Sequence, residues 1–126
     1  MLSDSQGIGY VGLAFMEGLT AVDLYNPGSG EYVTPSVENA LKTLPDEITD
    51  PGQNLMNSSN TGAYPIARLL YYLVNPGNLQ WYTIVYLNWV LVQGQQYISD
   101  VGYVPISGTS AQIFALSLIA TLSPSA

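Results

Sequence analysis

The nine residues from Ile66 to Val74 constrain this chain more than any others. Ile66-Ala67-Arg68-Leu69-Leu70-Tyr71-Tyr72-Leu73-Val74 is apolar at nearly every position, and Asn75-Pro76-Gly77 ends it. Such a strand has no polar face to turn to water, so it reads as buried with cover on both sides. Leu79 to Tyr97 follows as an expected long helix. Leu79, Tyr82, Tyr86, Trp89 and Val90 fall at helical spacing, and Gln93 and Gln95-Gln96 point to a wet end. Strand, tight turn and helix make half of a βαβ unit, which places the chain in the α/β class.

The charge balance removes whole classes of function. Nine acids stand against Lys42 and Arg68, a net charge of -7, and only 9% of residues are charged. Binding of nucleic acid through its phosphates needs a cluster of Lys and Arg, which is absent, and docking on anionic lipid is disfavoured for the same reason. There is no Cys and no His. Disulfides, thiol chemistry, thiolate or imidazole metal sites and a histidine base are therefore excluded. Ten Tyr and two Trp supply the surface that charges do not. That composition is common in proteins exposed to extracellular conditions. The sequon Asn57-Ser58-Ser59 is usable only in a secreted chain.

The length, 126 residues, predicts about one domain. Met1-Leu2-Ser3-Asp4 lacks the basic and apolar regions of a signal peptide. Ile113 to Leu122 is the longest apolar stretch near the C-terminus and falls short of the ~20 residues of a membrane span. No internal repeat is visible.

The remaining segments follow local rules. Gly7 to Gly12 is expected as a buried strand and Leu13 to Leu19 as a short helix. Thr20 to Tyr25 and Glu31 to Val33 form an expected hairpin across Asn26-Pro27-Gly28-Ser29-Gly30. Thr34 is the expected N-cap of a helix with Pro35 at its first position, continuing from Val37 to Leu44 and stopped by Pro45. Asp46 to Gly62 reads as a long loop. Tyr103 to Ile106 is a short extended piece, Ala111 to Leu122 a last apolar helix, and Ser123 to Ala126 a tail.

Several of these segments together resemble a known family. Gly7-Ile8-Gly9-Tyr10-Val11 is similar to its first strand and helix, and Thr34-Pro35-Ser36-Val37-Glu38-Asn39 to a helix start. Ala63-Tyr64-Pro65-Ile66 with the apolar run to Val74 is similar to its "AYPI" strand. Leu87-Asn88-Trp89-Val90-Leu91-Val92-Gln93-Gly94-Gln95 and Val101-Gly102-Tyr103-Val104-Pro105-Ile106 are similar to its long helix and closing strand. In order and spacing, roughly residues 7 to 107 resemble the C-terminal portion of the phosphate-binding component of ABC phosphate transporters. Three features depart from the pattern. Gly12 stands where an acid is usual, the long helix is nearly uncharged, and the last twenty residues match little.

The resemblance implies an α/β fold that is part of a type II periplasmic binding protein: the end of the second lobe, the hinge, and the C-terminal strand and helices of the first lobe. Residues 1–62 would be the end of the second lobe and the hinge region, and residues 63–126 the C-terminal segment of the first lobe. The function implied is hinge and scaffold for oxyanion capture in an extracytoplasmic solute-binding protein, periplasmic or at the cell surface. The implied partners are a transporter permease and, only together with an N-terminal half, inorganic phosphate or a similar oxyanion. The phosphate ligands of such proteins lie in that half, so none carries over. An alternative is an extracellular structural protein that uses this half fold to self-assemble, without ligand binding. A homo-oligomer fits either reading.

Candidate sites were weighed against plainer roles. Arg68, the only arginine, could hold an anion by two parallel bonds. The plainer role, capping a strand end or pairing with an acid such as Asp100, is preferred. Asp46, Glu47 and Asp50 lack the alternation of a Ca²⁺ loop and read as solvated. Gly7-x-Gly9-x-x-Gly12 sits within an expected strand rather than after one, so it is no dinucleotide site. Trp81, Tyr82, Tyr86, Trp89 and Tyr97 at helical spacing could form a stacking surface for sugars or partners; a core seam is preferred, with Trp81 or Tyr82 left for an interface and Trp89 buried against Ile66 to Val74. No acid–base or metal constellation is present, so an enzyme is not expected, nor is a cofactor.

Overall fold

Turn chemistry builds the first half of the chain. The computed structural model describes residue 4 and residues 6–125. Strands β1 (Leu24–Asn26) and β2 (Glu31–Val33) pair antiparallel, with Leu24 opposite Val33 and Tyr25 opposite Tyr32. The expected hairpin is therefore present, but short. Gly30 takes φ +74° in its turn, a conformation glycine adopts without steric cost. Asn26, expected in that turn, is instead the last strand residue and completely buried. Its amide donates 2.8 Å bonds to the carbonyls of Ser58 and Ala63, and its carbonyl oxygen accepts from the Gly28 amide. One side chain thus ties the hairpin to the long loop.

Helix α1 (Val37–Leu41) starts two residues later than expected. Ser36, not Thr34, is the N-cap, its hydroxyl accepting from the Asn39 amide at 3.0 Å. Thr34 instead bonds Asp23 across the hairpin. The helix also ends early, because Asn60 satisfies the carbonyls of Lys42 and Leu44 from the loop side. Residues 46–62 are a loop without helix or strand, as expected, yet Ile48 and Leu55 in it are buried with Val33 and Ala63.

The second half is helical. Helix α2 (Trp81–Leu91) is preceded by a 3₁₀ turn at Pro76–Asn78 and followed by another at Gln93–Tyr97, so the expected long helix is broken. The break is held by glutamines. Gln95 is buried, donating to the Val90 carbonyl at 2.9 Å and accepting from the Ile106 amide at 2.7 Å. Gln112 likewise donates to the Leu91 carbonyl and accepts from Gly108. The end read as wet is thus partly a buried bracket. Helix α3 (Ser110–Ile119) begins at the N-cap Thr109 and packs on α2. The tail is anchored, since Ser125 exchanges hydrogen bonds with Leu79.

The architecture is a small mixed α/β one, with a two-stranded sheet and three helices among the described residues. Two expected strands do not form. Residues 8–11 and 66–74 are neither helix nor strand, and neither segment pairs with another among the described residues. Both are exposed rather than buried: Tyr10 is 99% exposed and Leu73 95%. A strand needs neighbouring backbone to bond, and no described segment offers it. The helix expected over Leu13 to Leu19 is a single 3₁₀ turn at Leu13–Phe15, capped by Met16, with Gly18 at φ +75° in the turn that follows.

Candidate functional site

The extended segment 66–74 and the face of α2 beside it form the most unusual surface of the molecule. Pro65 fixes the entry, its carbonyl accepting from the Asn57 amide at 3.0 Å. Asn75 fixes the exit, its side chain accepting from the Gly77 amide at 3.0 Å, with Pro76 opening the 3₁₀ turn. Between them, no backbone–backbone hydrogen bond involves residues 66–74 among the described residues.

Two adjacent tyrosines hold the segment instead. Successive side chains of an extended chain point to opposite sides. The Tyr71 hydroxyl donates to the Pro51 carbonyl, and Tyr72 meets Tyr86 of α2, ring edge to face, with centroids 6.3 Å apart. The Tyr72 and Tyr86 hydroxyls lie 3.5 Å apart. That hydrogen bond, with smaller contributions from burial and from the Tyr86 charge, raises the pKa of Tyr72 above the ordinary tyrosine value. The two side chains thus anchor the segment while its backbone amides and carbonyls stay unbonded to other backbone among the described residues. Adjacent aromatics in an apolar strand were the available sequence signal, but sequence reading assigned them only to a core.

The aromatic face of α2 is surface, not core. Trp89 is 46% exposed and stacks on Tyr97 at an interplanar angle of 25°, over the small residue Gly94. The expectation that it packs buried against 66–74 is therefore wrong. The break at Val92 folds the chain back, so Tyr97 covers Trp89 from its own side. Trp81 and Tyr82, in edge-to-face contact, are exposed as well.

The remaining candidates do not converge. Arg68 is exposed, and no ion pair joins it to Asp100 or another acid among the described residues; the only pair there is Lys42–Glu38. Asp46 and Glu47 rim a shallow hollow of about 200 Å³ beside Ile113 and Phe114. Asp50 lies apart in function, accepting from the Gly52 amide of its own turn. Gly7 and Gly9 lie on the exposed N-terminal segment, and Gly12 precedes only the single 3₁₀ turn at Leu13–Phe15, with no strand before it among the described residues. A second hollow of about 330 Å³, lined by residues 53–60 with Thr43 and Pro45, presents amides and hydroxyls but no cationic side chain. No group of three or more acids that could hold a metal occurs among the described residues, and no helix there is long and apolar enough to cross a membrane. No protein-family model, curated protein or solved structure matches the chain.

Proposed function

We propose that the chain is the C-terminal section of an extracytoplasmic solute-binding protein of the phosphate-transport type, providing hinge and scaffold rather than ligand contacts. The observation that supports this reading is the order of pieces at 66–91: an apolar segment without strand pairing, an Asn-Pro-Gly turn and a helix, without the sheet such a unit belongs to. A doubly wound lobe built from both ends of a chain leaves this piece when one end is taken away. Oxyanion capture would then fall to backbone amides and helix N-termini of the N-terminal half, where local donors outweigh a net charge of -7. Isolated Arg68 supports the same division of labour, since one exposed cation does not make an anion site. A permease partner and a periplasmic or cell-surface location follow from this reading.

Titration calorimetry with inorganic phosphate at low salt tests it. The 126-residue chain should bind no tighter than millimolar. A micromolar constant abolished by Arg68→Ala would overturn the scaffold role. The DNA upstream of the Met1 codon is the second test: an in-frame lobe sequence supports the reading, and a stop codon directly upstream removes it. The second reading, an extracellular self-assembling protein on the same half fold, draws on the exposed aromatic face of α2.

A further inference from the structure

The exposed area of the chain is too large for a finished monomer. A folded monomer of 13.6 kDa exposes roughly 6,600 Å². This chain exposes 8796 Å². The excess, on the order of 2,200 Å², is more than twice the ~800 Å² that each partner contributes to a standard interface. Segment 66–74 exposes Ile66, Leu70, Tyr71, Tyr72 and Leu73 and makes no backbone–backbone hydrogen bond among the described residues. We infer that its backbone edge pairs antiparallel with the same edge of a second copy, around a two-fold axis at Leu70.

Charge and register select this occupant. Between Asp50 and Asp100 the only charged residue is Arg68, so the segment itself carries no acid to oppose a second copy. With the axis at Leu70, all nine residues pair. Ile66 faces Val74 of the second copy, and Arg68 faces Tyr72, where a guanidinium meets an aromatic ring rather than its own like charge. Shifting the axis to Arg68 would oppose the two arginines. Prolines at 65 and 76 limit the ladder at both ends, because proline has no amide to donate. The axis stands perpendicular to the ribbon, so both copies carry α2 on one face. The inference rests on the open edge and the area, not on the transport reading, and the phosphate titration does not bear on it.

The absence of native cysteine makes the register directly testable. Leu70→Cys places two sulfurs opposite each other across the axis, at a Cα separation of about 5 Å that a disulfide spans. Leu73→Cys is the control. It is the more exposed position, but its two copies would lie about 20 Å apart along the ribbon. Sedimentation velocity at micromolar concentration should show a dimer, and Leu70→Lys should weaken it at least about tenfold. Under mild oxidation Leu70→Cys should cross-link, and Leu73→Cys should not. A monomeric boundary across the micromolar range, or equal cross-linking of both variants, would overturn the inference.

Discussion

Residues 24–65 carry six charged side chains and residues 66–125 only Arg68 and Asp100, and the two regions solve the burial problem differently. In the first region, side chains bond backbone over long separations: Asn26 to Ser58 and Ala63, Asn60 to Lys42 and Leu44, Glu31 to the Gly62 amide. These bonds close a core with only two three-residue strands. In the second region the helices are bracketed by Gln95 and Gln112, but between Pro65 and Asn75 the segment expected as a strand makes side-chain hydrogen bonds through two tyrosines and no backbone–backbone bond among the described residues. The difference shows that a loop can have its backbone polar groups satisfied by single side chains reaching from elsewhere in the fold. A strand cannot, because its donors and acceptors lie along both edges and need other strands.

The sharpest break of this comparison is Asn26→Ala. It removes three hydrogen bonds at a fully buried site and leaves two carbonyls and an amide without their partner. The expected loss is about 3–4 kcal/mol by thermal or denaturant melting. A loss under about 1 kcal/mol would mean that water replaces the side chain and the first region is not locked.

Gly28→Ala probes the same lock through the backbone. A Cβ there would lie 2.0 Å from the Asn57 carbonyl oxygen, so the hairpin turn and the loop would have to separate. About 2–3 kcal/mol is expected from the same melts. By contrast, Gly30→Ala meets no neighbouring atom and should cost only about 1 kcal/mol, from its positive φ.

In the second region, Gln95→Ala should cost about 1–2 kcal/mol, since two buried bonds between the end of α2 and the 106 loop are lost. Equal melts for Gln95→Ala and the parent protein would show that α2 does not need its bracket.

The smallest effect is a pH dependence. The folded pKa of Tyr72 is raised, so the folded state favours the protonated phenol. That stabilisation is fully present below about pH 10, the unfolded tyrosine value, and is lost as pH rises through the higher folded value. Tyr86→Phe removes the principal cause. Its melting temperature should fall less steeply above that pH than the parent's, and an identical slope would assign the shift to something other than the hydroxyl pair.

Turns were legible in the sequence because their causes are local, and Asn75-Pro76-Gly77 turns the chain as expected. Helix ends were less so: Ser36 rather than Thr34 caps α1, α1 stops at Leu41 ahead of Pro45, α2 breaks after Leu91, and the Thr109 cap of α3 was not expected. The hairpin across Pro27 to Gly30 was legible for the same reason. Asn26 was not. Nothing in an Asn-Pro-Gly stretch distinguishes a turn asparagine from one whose amide reaches residues 58 and 63. Arg68 was singled out by its rarity, and the structure brings no second anion-binding group to it among the described residues.

The sequence by itself determined the apolar, charge-poor character of 66–74, its turn and its helix, because hydropathy, proline and glycine act over a few residues. Only the tertiary structure decided that this segment is an open edge rather than a buried strand, and that Trp89 lies on the surface. The physical reason is that burial depends on other backbone arriving from far along a chain. Periodicity can state that a strand requires neighbours, but only the assembled coordinates show whether any neighbour is there.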